Sequence, residues 1–459
     1  MTERRGVQMT TVAVAVEEKT PHGIAAAVAR LITAGELAPG DRLPTVRELA
    51  GELGVSPATV SHAWQALSGV GLIVSRGRSG SFVMAPPQKW LPPRFQELAG
   101  QLEATRLDLS TGTPDPELLP ALGPALSRVS LRAGTASYLD QPVIPELELE
   151  LRSTWPYPVD ALTVVDGALD ALSRSLEHVV RFGDRVVVED PGFPPIFDLL
   201  EHVGAERIPV GIDERGLRPD LLEKALTLRP TAIVLQPRAQ NPSGSSMDAE
   251  RAEQLARVIG RSRHAADAIV IEDDHSGDIV DSPPVSLGTW LPGQVLHIRS
   301  FSKSHGPDLR IAALGGPAEL VEQIVARRIL GPGWTSRMLQ RMLYDLLTDP
   351  TSVAQIRHAR EVYRERQLAL SAALRANGID INTADGINLW LPVADERSTV
   401  VQLAAAGIRV AAGTPFQAER SGPSERAETN GRAFVRVTAG LVRTDFDSVA
   451  EQLASASRA

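Results

Sequence analysis

Apolar residues recur at two different spacings along the chain, and the change of spacing divides it into two regions. Between residues 18 and 84, apolar residues return every third or fourth position, which is the spacing of amphipathic helices. From about residue 105 onward, short apolar runs alternate with segments of helical spacing; these runs cover residues 161–165, 185–188, 231–235, 268–271 and 295–298. Such alternation is typical of an α/β domain with a mainly parallel central sheet.

A proline-rich segment separates the two regions. Residues 85–93 contain four prolines and are typical of a stiff, extended linker. Near the N-terminus, the apolar residues 11–16 run directly into Glu17 and Glu18, without the cleavage site of a signal peptide. We therefore predict a disordered tail (residues 1–17), a small helical domain (18–84), a linker (85–104) and a large α/β domain (105–459), in which residues from about 330 form a small C-terminal α+β subdomain.

The small region carries the signals of helices followed by a hairpin. Thr45 and Glu48 form a predicted capping box that opens the second helix, and Ser56 caps the third. The apolar residues 73–75 and 81–83 then flank a glycine-rich tip and predict two short strands. Helix, tight turn, helix and hairpin in this order predict a winged helix-turn-helix domain, with the hairpin as the wing.

The exposed positions of this region suit contacts with DNA. The outer face of the third predicted helix presents Thr59, Ser61 and His62, whose short polar side chains can reach base edges and phosphates. Arg76 and Arg78 lie on the narrow tip of the wing, which suits entry into a minor groove. Basic and acidic residues nearly balance here, so charge alone does not distinguish a DNA-binding domain from a small helical interaction domain.

The small region resembles the winged-helix domain of the GntR family of bacterial regulators. The resemblance rests on residues 35–44, 47–50, 53–56, 59–60 and 80–83. It implies that Arg47, Thr59 and the wing contact DNA. The chain departs from many members at Pro57, where they carry an arginine, and this removes one expected phosphate contact. We predict DNA contacts at Arg47, Ser56, Ala58, Thr59, Ser61, His62, Arg76, Arg78 and Gly80.

Composition narrows the chemistry of the large region. The 459 residues include no cysteine, which excludes a disulfide scaffold, a thiol nucleophile and cysteine-ligated zinc, and fits the reducing cytoplasm, where we expect the protein. The net charge of −9 confines any DNA binding to a local surface. No apolar run approaches the roughly 18 residues of a membrane span, so we predict no membrane partner. The only lysines are Lys19, Lys89, Lys224 and Lys303, so chemistry that needs an amine has few candidates.

Lys303 has the most suggestive surroundings of the four lysines. It follows the apolar run of residues 295–298 and is flanked by hydroxyl groups, with Arg310 downstream. An amine that forms an imine with an aldehyde cofactor has to be held and partly desolvated, and hydroxyls with an arginine suit a phosphate group. The alternative is an ordinary surface lysine in a loop.

Three further strand exits carry candidate ligands. Three acidic residues and a histidine (residues 272–275) end a predicted strand, where a carboxylate can pair with a protonated pyridine nitrogen; the alternatives are an acidic loop or a divalent metal site. Phe193 follows another strand and suits stacking on a flat ring, although such a residue is more often part of the core. Residues 164–169 pass from a strand into a helix, whose first backbone amides can hold a phosphate. Residues 240–244 alone indicate only a turn.

In order and spacing, these segments resemble the fold-type I aminotransferases that use pyridoxal 5′-phosphate (PLP), over about residues 105–459. The resemblance implies that Lys303 is the Schiff-base lysine, that Asp273 pairs with the pyridinium nitrogen and that Asn241 hydrogen-bonds the ring O3′. It also implies that Phe193 stacks on the ring. The implied phosphate ligands are Ser300, Ser302, Arg310, the amides of Ala168 and Leu169, and Tyr138 from across a dimer interface.

Two further positions concern the substrate end of the implied site. Arg436 resembles the arginine that forks the substrate carboxylate, and Arg432 is its nearest rival. His275 stands where a tyrosine usually touches O3′. A histidine also hydrogen-bonds, but with a pKa near neutrality, so we expect altered protonation and weaker turnover, with cofactor binding retained. We predict no metal ion.

A GntR-like winged helix joined to an aminotransferase-like domain resembles the MocR subfamily of transcriptional regulators. The resemblance implies a head-to-tail homodimer in which PLP, or its adduct with an amino compound, controls binding to operator DNA. The sequence leaves two alternatives: a working aminotransferase with an accessory DNA-binding domain, and a regulator whose large domain is an empty relic. We favour the regulator that senses PLP, an amino acid or an amine.

Overall fold

The chain folds into two compact units, Met1–Pro92 and Pro93–Ala459, and the boundary falls within the predicted linker. The computed structural model describes residues 11–16, 18–34, 36–69, 72–75, 80–84, 92, 94, 106–130, 137–418 and 433–458. Most of the predicted linker therefore lies outside the described residues.

From residue 18 onward, the described part of the first unit contains three helices and a hairpin: α1 (Pro21–Thr33), α2 (Val46–Leu53), α3 (Pro57–Gly69), β1 (Ile73–Ser75) and β2 (Ser81–Val83). The predicted capping box is formed, since Thr45 Oγ1 accepts from the Glu48 amide at 3.3 Å and the Glu48 carboxylate accepts from the Thr45 amide at 2.9 Å. Gly54 ends α2 with φ of +68°, a conformation that favours glycine. Strands β1 and β2 pair antiparallel and form the wing.

Part of the predicted disordered tail is folded. Residues 11–15 are helical, and Val12 and Val16 are buried in the core that α1, α2 and α3 share. The two valines are four positions apart, so they lie on one face of a helical turn and can be buried together. The prediction of disorder over residues 1–17 is therefore wrong for residues 11–16.

The second unit is built on an eight-stranded sheet with the order β4-β11-β10-β9-β8-β5-β6-β7. Its strands are β4 (Ala161–Val165), β5 (Arg185–Asp190), β6 (Glu206–Asp213), β7 (Gly216–Leu217), β8 (Ala232–Leu235), β9 (Ile269–Asp274), β10 (Val295–Ser300) and β11 (Ala312–Gly316). Strands β4, β5, β6, β8, β9 and β10 share one direction, while β7 and β11 are antiparallel to their neighbours. The sheet is mainly parallel, as predicted.

Helices cover both faces of this sheet. They are α4 (Leu122–Ser130), α5 (Pro145–Ser153), α6 (Ala168–Val179), α7 (Pro194–Val203), α8 (Pro219–Leu226), α9 (Ala249–Arg261), α10 (Ala318–Ile329) and α11 (Arg337–Thr348). In β8, Ala232 and Val234 belong to one apolar core, and Ile233 and Leu235 belong to another. Burial on both faces explains why the parallel strands are continuous apolar runs in the sequence.

The C-terminal subdomain contains a three-stranded antiparallel sheet, β12-β15-β14, beside three helices. Its elements are α12 (Pro350–Ala376), β12 (Leu389–Val393), α13 (Glu396–Ala405), β13 (Ile408–Arg409), β14 (Ala411–Ala412), β15 (Ala433–Val437) and α14 (Phe446–Ser457). Strand β3 (Leu107–Asp108) pairs with β13, so the start of the large region joins this subdomain.

The subdomain begins later than the predicted position near residue 330. Met342, Leu343 and Leu346 of α11 share a core with Leu147 and Leu151 of α5, on the side of the large sheet. These contacts assign α11 to the large part, and the long helix α12 makes the transition. In the described part of the chain, no helix is long and apolar enough to span a membrane.

Candidate functional site

The predicted cofactor residues gather at one edge of the large sheet. Asp273 is the penultimate residue of β9, Lys303 follows β10, Asn241 follows β8 and Phe193 follows β5. The carboxyl ends of parallel strands meet at the same edge, so residues far apart in sequence become neighbours there. Ala168 begins α6 shortly after the end of β4. The last residue of β4, Val165, pairs with the first residue of β11, Ala312, so the end of β4 lies at the same edge of the sheet.

Asp273 is buried at the centre of this edge. Its Oδ2 accepts a hydrogen bond from Gln236 Nε2 at 2.8 Å. None of the described residues donates to its Oδ1, which is also buried. Burial raises the pKa of Asp273 to about 6, against the opposing effect of the Gln236 hydrogen bond. The carboxylate thus has one oxygen available to a cationic N–H donor.

Lys303 approaches the same edge from the loop after β10. Its Nζ donates to the carbonyl of Gly112, and no carboxylate among the described residues forms an ion pair with it. Burial and the nearby Arg436 guanidinium lower the pKa of Lys303 to about 8, while Asp273 favours the charged form. A lowered pKa increases the fraction of neutral amine, which is the nucleophilic form.

Arg436 is a buried guanidinium without an acidic partner among the described residues. From β15, its Nη1 donates to Asn241 Oδ1 at 3.1 Å and its Nη2 donates to the carbonyl of Ser110. Its guanidinium carbon lies 5.0 Å from the centroid of the Phe416 ring. Burial lowers the pKa of Arg436 to about 10. An uncompensated buried cation is costly, so the position suits an anionic ligand. Its rival, Arg432, lies outside the described residues.

Gly112 is a close neighbour of both cations, and sequence reasoning missed it. Its φ is +61°, and a Cβ atom there would lie 3.0 Å from Arg436 Nη1. The segment bearing Gly112 therefore passes directly over the site only because the residue lacks a side chain. Local sequence carries no signal for this contact, since Gly112 and Lys303 are 191 positions apart.

The predicted phosphate ligands lie around the start of α6. Gly167 precedes the helix with φ of +103° and provides no side-chain cap for the amides of Ala168 and Leu169. The Arg310 guanidinium lies against it: a Cβ atom on Gly167 would be 2.8 Å from Arg310 Nη2. Arg310 is exposed, and its Nη2 donates to the Asp166 carbonyl at 3.2 Å. A guanidinium beside uncapped helix amides is a favourable setting for an anion.

Ser300 and Ser302 lie at the end of β10. Ser300 is buried, and its Oγ accepts from the Ser302 amide at 3.3 Å. Ser302 is half-buried. Strand β11 pairs with both β10 and β4, so the end of β10 lies on the same side of the sheet as the start of α6.

His275 is committed to protein contacts. Its Nε2 lies 2.8 Å from the carbonyl of Ala239, which can only accept, so Nε2 carries the proton. The Ser276 hydroxyl lies 3.3 Å from Nδ1. Burial, with the nearby charge of Lys303, lowers the pKa of His275 to about 4. The imidazole is therefore neutral, and its one N–H donor is used by the loop that carries Asn241.

Within its own chain, Tyr138 does not lie with the other predicted cofactor residues. It is 88% exposed, and its ring contacts Trp334 at a centroid distance of 6.0 Å. The neighbouring Leu139 is 95% exposed. Further exposed apolar side chains lie in the same stretch as Trp334: Ile329, Leu330 and Met338. Exposed apolar side chains that form a continuous patch are typical of interaction surfaces.

The acidic run 272–275 does not form a metal-binding cluster. Glu272 Oε2 lies 2.7 Å from His297 Nδ1, whereas Asp274 pairs with Arg238 at 2.6 Å. Glu272 and Asp274 are thus each held by a different basic side chain, and Asp273, which lies between them in β9, points to the opposite face of the strand. Within the described ranges, no group of three acidic or histidine side chains is arranged to hold a metal ion.

In the first unit, most of the residues predicted to contact DNA are accessible to solvent. Ser56, Ala58 and His62 are exposed, Thr59 and Ser61 are half-buried, and Arg47 is exposed on α2. The hydroxyls of Ser56 and Thr59 are 2.8 Å apart, so the predicted cap also orders Thr59. Gly80 has φ of +100°, and Arg76 and Arg78 lie outside the described residues.

Arg42 is a basic residue at the base of the wing that the sequence analysis did not single out. A Cβ atom on Gly80 would lie 2.8 Å from Arg42 Nε, so this glycine allows the arginine to approach the hairpin. Arg42 also forms a β-bridge with Phe82.

Two family descriptions match separate parts of the chain. Residues 21–83 match "Bacterial regulatory proteins, gntR family", and residues 104–453 match "Aminotransferase class I and II". The matched ranges correspond to the winged helix and to the unit built on the large sheet.

Curated relatives share both parts over most of their length. The vitamin B6 salvage pathway transcriptional repressor PtsJ of Salmonella typhimurium is 36% identical over 408 residues, 87% of this chain and 92% of its own. The pyridoxine biosynthesis transcriptional regulator PdxR of Corynebacterium glutamicum is 28% identical, over 74% of this chain and 75% of its own. The probable rhizopine catabolism regulatory protein MocR of Rhizobium meliloti is 28% identical, over 82% of this chain and 79% of its own.

Solved aminotransferase structures share the fold of the large unit. The α-aminoadipate aminotransferase LysN of Thermus thermophilus superimposes with a TM-score of 0.66 at 21% identity, and the match covers 79% of this chain and 94% of that one. At this level of identity the likeness concerns the fold alone.

Proposed function

Since this chain belongs to the MocR subfamily of GntR-type transcriptional regulators, we propose that its binding to operator DNA responds to PLP held at the edge of the large sheet. One observation carries the proposal. Buried Asp273 and Arg436 and partly buried Lys303 lie together without an ion pair to any described residue. Charged groups left uncompensated in this way are expected at ligand sites, because a ligand supplies the missing partners.

The residues present suit PLP, which supplies an aldehyde for an amine and a pyridine ring that withdraws electrons. Lys303 provides the amine, with a pKa lowered to about 8. The buried Oδ1 of Asp273, which accepts from no described residue, suits the ring N–H. Phe193 follows β5 at the same edge and suits stacking on the ring.

The donors around Gly167 suit the phosphate group of PLP. Arg310 supplies N–H donors, and the uncapped start of α6 adds the amides of Ala168 and Leu169. Ser300 and Ser302 add hydroxyls from the end of β10. A Cβ atom at Gly167 would occupy space against the guanidinium, which is consistent with close approach of a ligand there.

Arg436 suits the carboxylate of an amino-compound effector. A guanidinium has five N–H donors, and the described contacts of Arg436 use two of its nitrogens. The unpartnered Nε and the remaining N–H groups can bind a carboxylate in the forked geometry of arginine. An amino acid that displaces Lys303 would thus contact both the cation and the cofactor, while PLP alone is the simpler signal.

The names of two relatives support vitamin B6 metabolism as the regulated process, since one is a B6 salvage repressor and another regulates pyridoxine biosynthesis. The exposed group around Tyr138 and Trp334 supports a homodimer in which Tyr138 reaches the phosphate of the partner. A head-to-tail arrangement and a cytoplasmic location are part of the same proposal.

A gel-shift titration of the full chain on its own upstream intergenic DNA tests the proposal. We expect specific binding whose affinity changes when PLP is added, because ligands that favour one state of a regulator shift its population. Conversion of an amino donor to its oxo-acid, assayed in parallel, detects the alternative aminotransferase activity. Specific binding that ignores PLP, or turnover without any specific shift, would count against the proposal.

Arg47→Ala is expected to weaken DNA binding across sequences, because an exposed arginine at the start of α2 suits a phosphate contact. The loss should be about tenfold at moderate salt, and the slope of log affinity against log salt should fall by about one. Arg30→Ala is the matched control, since Arg30 is also exposed but lies on α1. Equal losses for the two variants would show only a general effect of charge.

A further inference from the structure

The side chain of Gln236 connects two residues of the cofactor site. Gln236 directly follows β8 and is 2% exposed. Its Nε2 donates to Asp273 Oδ2 at 2.8 Å, and its Oε1 accepts from the Asn241 amide at 2.8 Å. Both ends of one amide are thus used, one on the carboxylate expected at the ring nitrogen and one on the loop expected at the ring oxygen.

A second buried carboxyl group lies behind Gln236. Glu189 Oε2, from β5, accepts from the backbone N–H of Gln236 at 3.2 Å and from the side-chain Nε2 of Gln240 at 3.3 Å. No cation in the described part of the chain pairs with Glu189. Burial, with the nearby Asp273, raises the pKa of Glu189 to about 8, so this group is mainly neutral at pH near 7.

We propose that Gln236 is a positioning residue that keeps Asp273 ionised and at a fixed distance from Asn241, ready for the PLP ring. The inference rests on the proposed function, because it assumes that PLP occupies this edge. The bridge is direct: the side-chain Nε2 of Gln236 donates to the Asp273 carboxylate, and its side-chain Oε1 accepts from the backbone N–H of Asn241, the residue expected at the ring oxygen.

The charges around Asp273 explain why one hydrogen bond matters. Along β9, Asp274 disfavours ionisation, and His275 is neutral. His297, in β10, and Lys303, in the loop after β10, favour the ionised form of Asp273. The neutral form of Glu189, in β5, adds no charge. Burial outweighs these favourable effects, so the pKa of Asp273 is about 6 even with the Gln236 hydrogen bond. Loss of the Gln236 N–H donor would raise that pKa toward neutrality.

Gln236→Met tests the inference in the full chain, because methionine keeps the length of the side chain and removes both hydrogen bonds. The dissociation constant of PLP is measured between about pH 6 and about pH 9, and each value is divided by the wild-type value at the same pH. We expect the ratio of dissociation constants to be about ten at the acid end of the range and to fall toward one at the alkaline end. The reason is that Asp273 has to be ionised to pair with the ring nitrogen. The ratio removes the titration of PLP itself.

Gln240→Met is the matched control. Gln240 is also fully buried and contacts Glu189 and the Pro191 carbonyl, but it does not contact Asp273. Its affinity loss relative to wild type should not increase toward acid pH, because the Gln240 hydrogen bond acts on Glu189, whose pKa is about 8, and not on Asp273. A flat ratio for Gln236→Met, or the same pH dependence in both variants, would reduce Gln236 to a packing role and overturn the inference.

Gln236→Glu keeps the shape and predicts the opposite trend, so it decides the matter if methionine destabilises the fold. A neutral glutamic acid still donates to Asp273 at low pH, whereas an ionised one repels it, so the affinity loss should grow with pH. A loss that is constant or shrinks with pH would contradict the inference. Failure of the wild-type chain to bind PLP at any pH is a different result, since it rejects the proposed function itself.

Discussion

Lys303→Ala is expected to abolish the response of DNA binding to PLP. Lys303 is the lysine at the carboxyl edge of the sheet, whereas Lys224 is exposed on α8 and Lys19 lies in the first unit. Without the amine, PLP keeps its phosphate and ring contacts but loses its bond to the protein. We expect its affinity to fall by on the order of a hundredfold, about 2.7 kcal/mol. The visible absorbance of the PLP-loaded protein and the gel shift with PLP both measure this effect.

The matched control is Lys224→Ala, which removes an exposed lysine near the end of α8. It should keep both the absorbance and the PLP response. If Lys303→Ala also keeps them, PLP is not held through Lys303. If the alanine variant loses the absorbance but its DNA binding still responds to PLP, the signal comes from another site.

Arg436→Met is expected to remove the response to carboxylated effectors without destabilising the chain. Arg436 is a buried cation whose described partners are neutral: the Ser110 carbonyl, Asn241 Oδ1 and the Phe416 ring. Its lowered pKa of about 10 reflects the cost of that burial. Replacing a buried charge that has no counter-ion by an apolar side chain of similar size removes its desolvation cost, which is on the order of several kcal/mol per ion. We therefore expect an unchanged or higher Tm together with loss of sensitivity to amino acids.

The effector experiment compares an amino acid with the amine that lacks its carboxylate. The wild-type chain should discriminate between the two by at least about tenfold, and Arg436→Met should treat them alike. Full discrimination in the variant would move the carboxylate role elsewhere, with Arg432 as the next candidate. A sharp drop in Tm would show that Arg436 serves mainly as a structural hydrogen-bond donor.

Features that depend on neighbouring positions could be predicted from the sequence. The Thr45–Glu48 capping box and the apolar runs of β5, β8, β9 and β10 depend on spacings of a few residues. The cofactor residues could be grouped because each follows a strand, and parallel strands present their carboxyl ends at one edge. The folded turn at residues 11–16 was missed because two valines outside a longer periodic segment give too weak a pattern.

Contacts between distant segments required the folded chain. Gly112 lies against Lys303 across 191 positions, and Ser110 accepts from Arg436 across 326. Strand β3 pairs with β13, which brings the start of the large region into the C-terminal subdomain. No periodicity encodes such pairs, because they depend on how complete elements pack together.

The sequence by itself determined which residue types stand at the strand ends, and from them the two-part architecture. The tertiary structure decided the pKa values of these residues and the hydrogen-bond partners of their side chains. Burial, a property of the packed chain, lowers the pKa values of Lys303 and His275 and raises that of Asp273. The neighbouring backbone fixes His275 on the Ala239 carbonyl, and the fold leaves Arg436 without an acidic partner among the described residues. These states arise because desolvation and hydrogen bonding depend on surroundings that only the complete fold assembles.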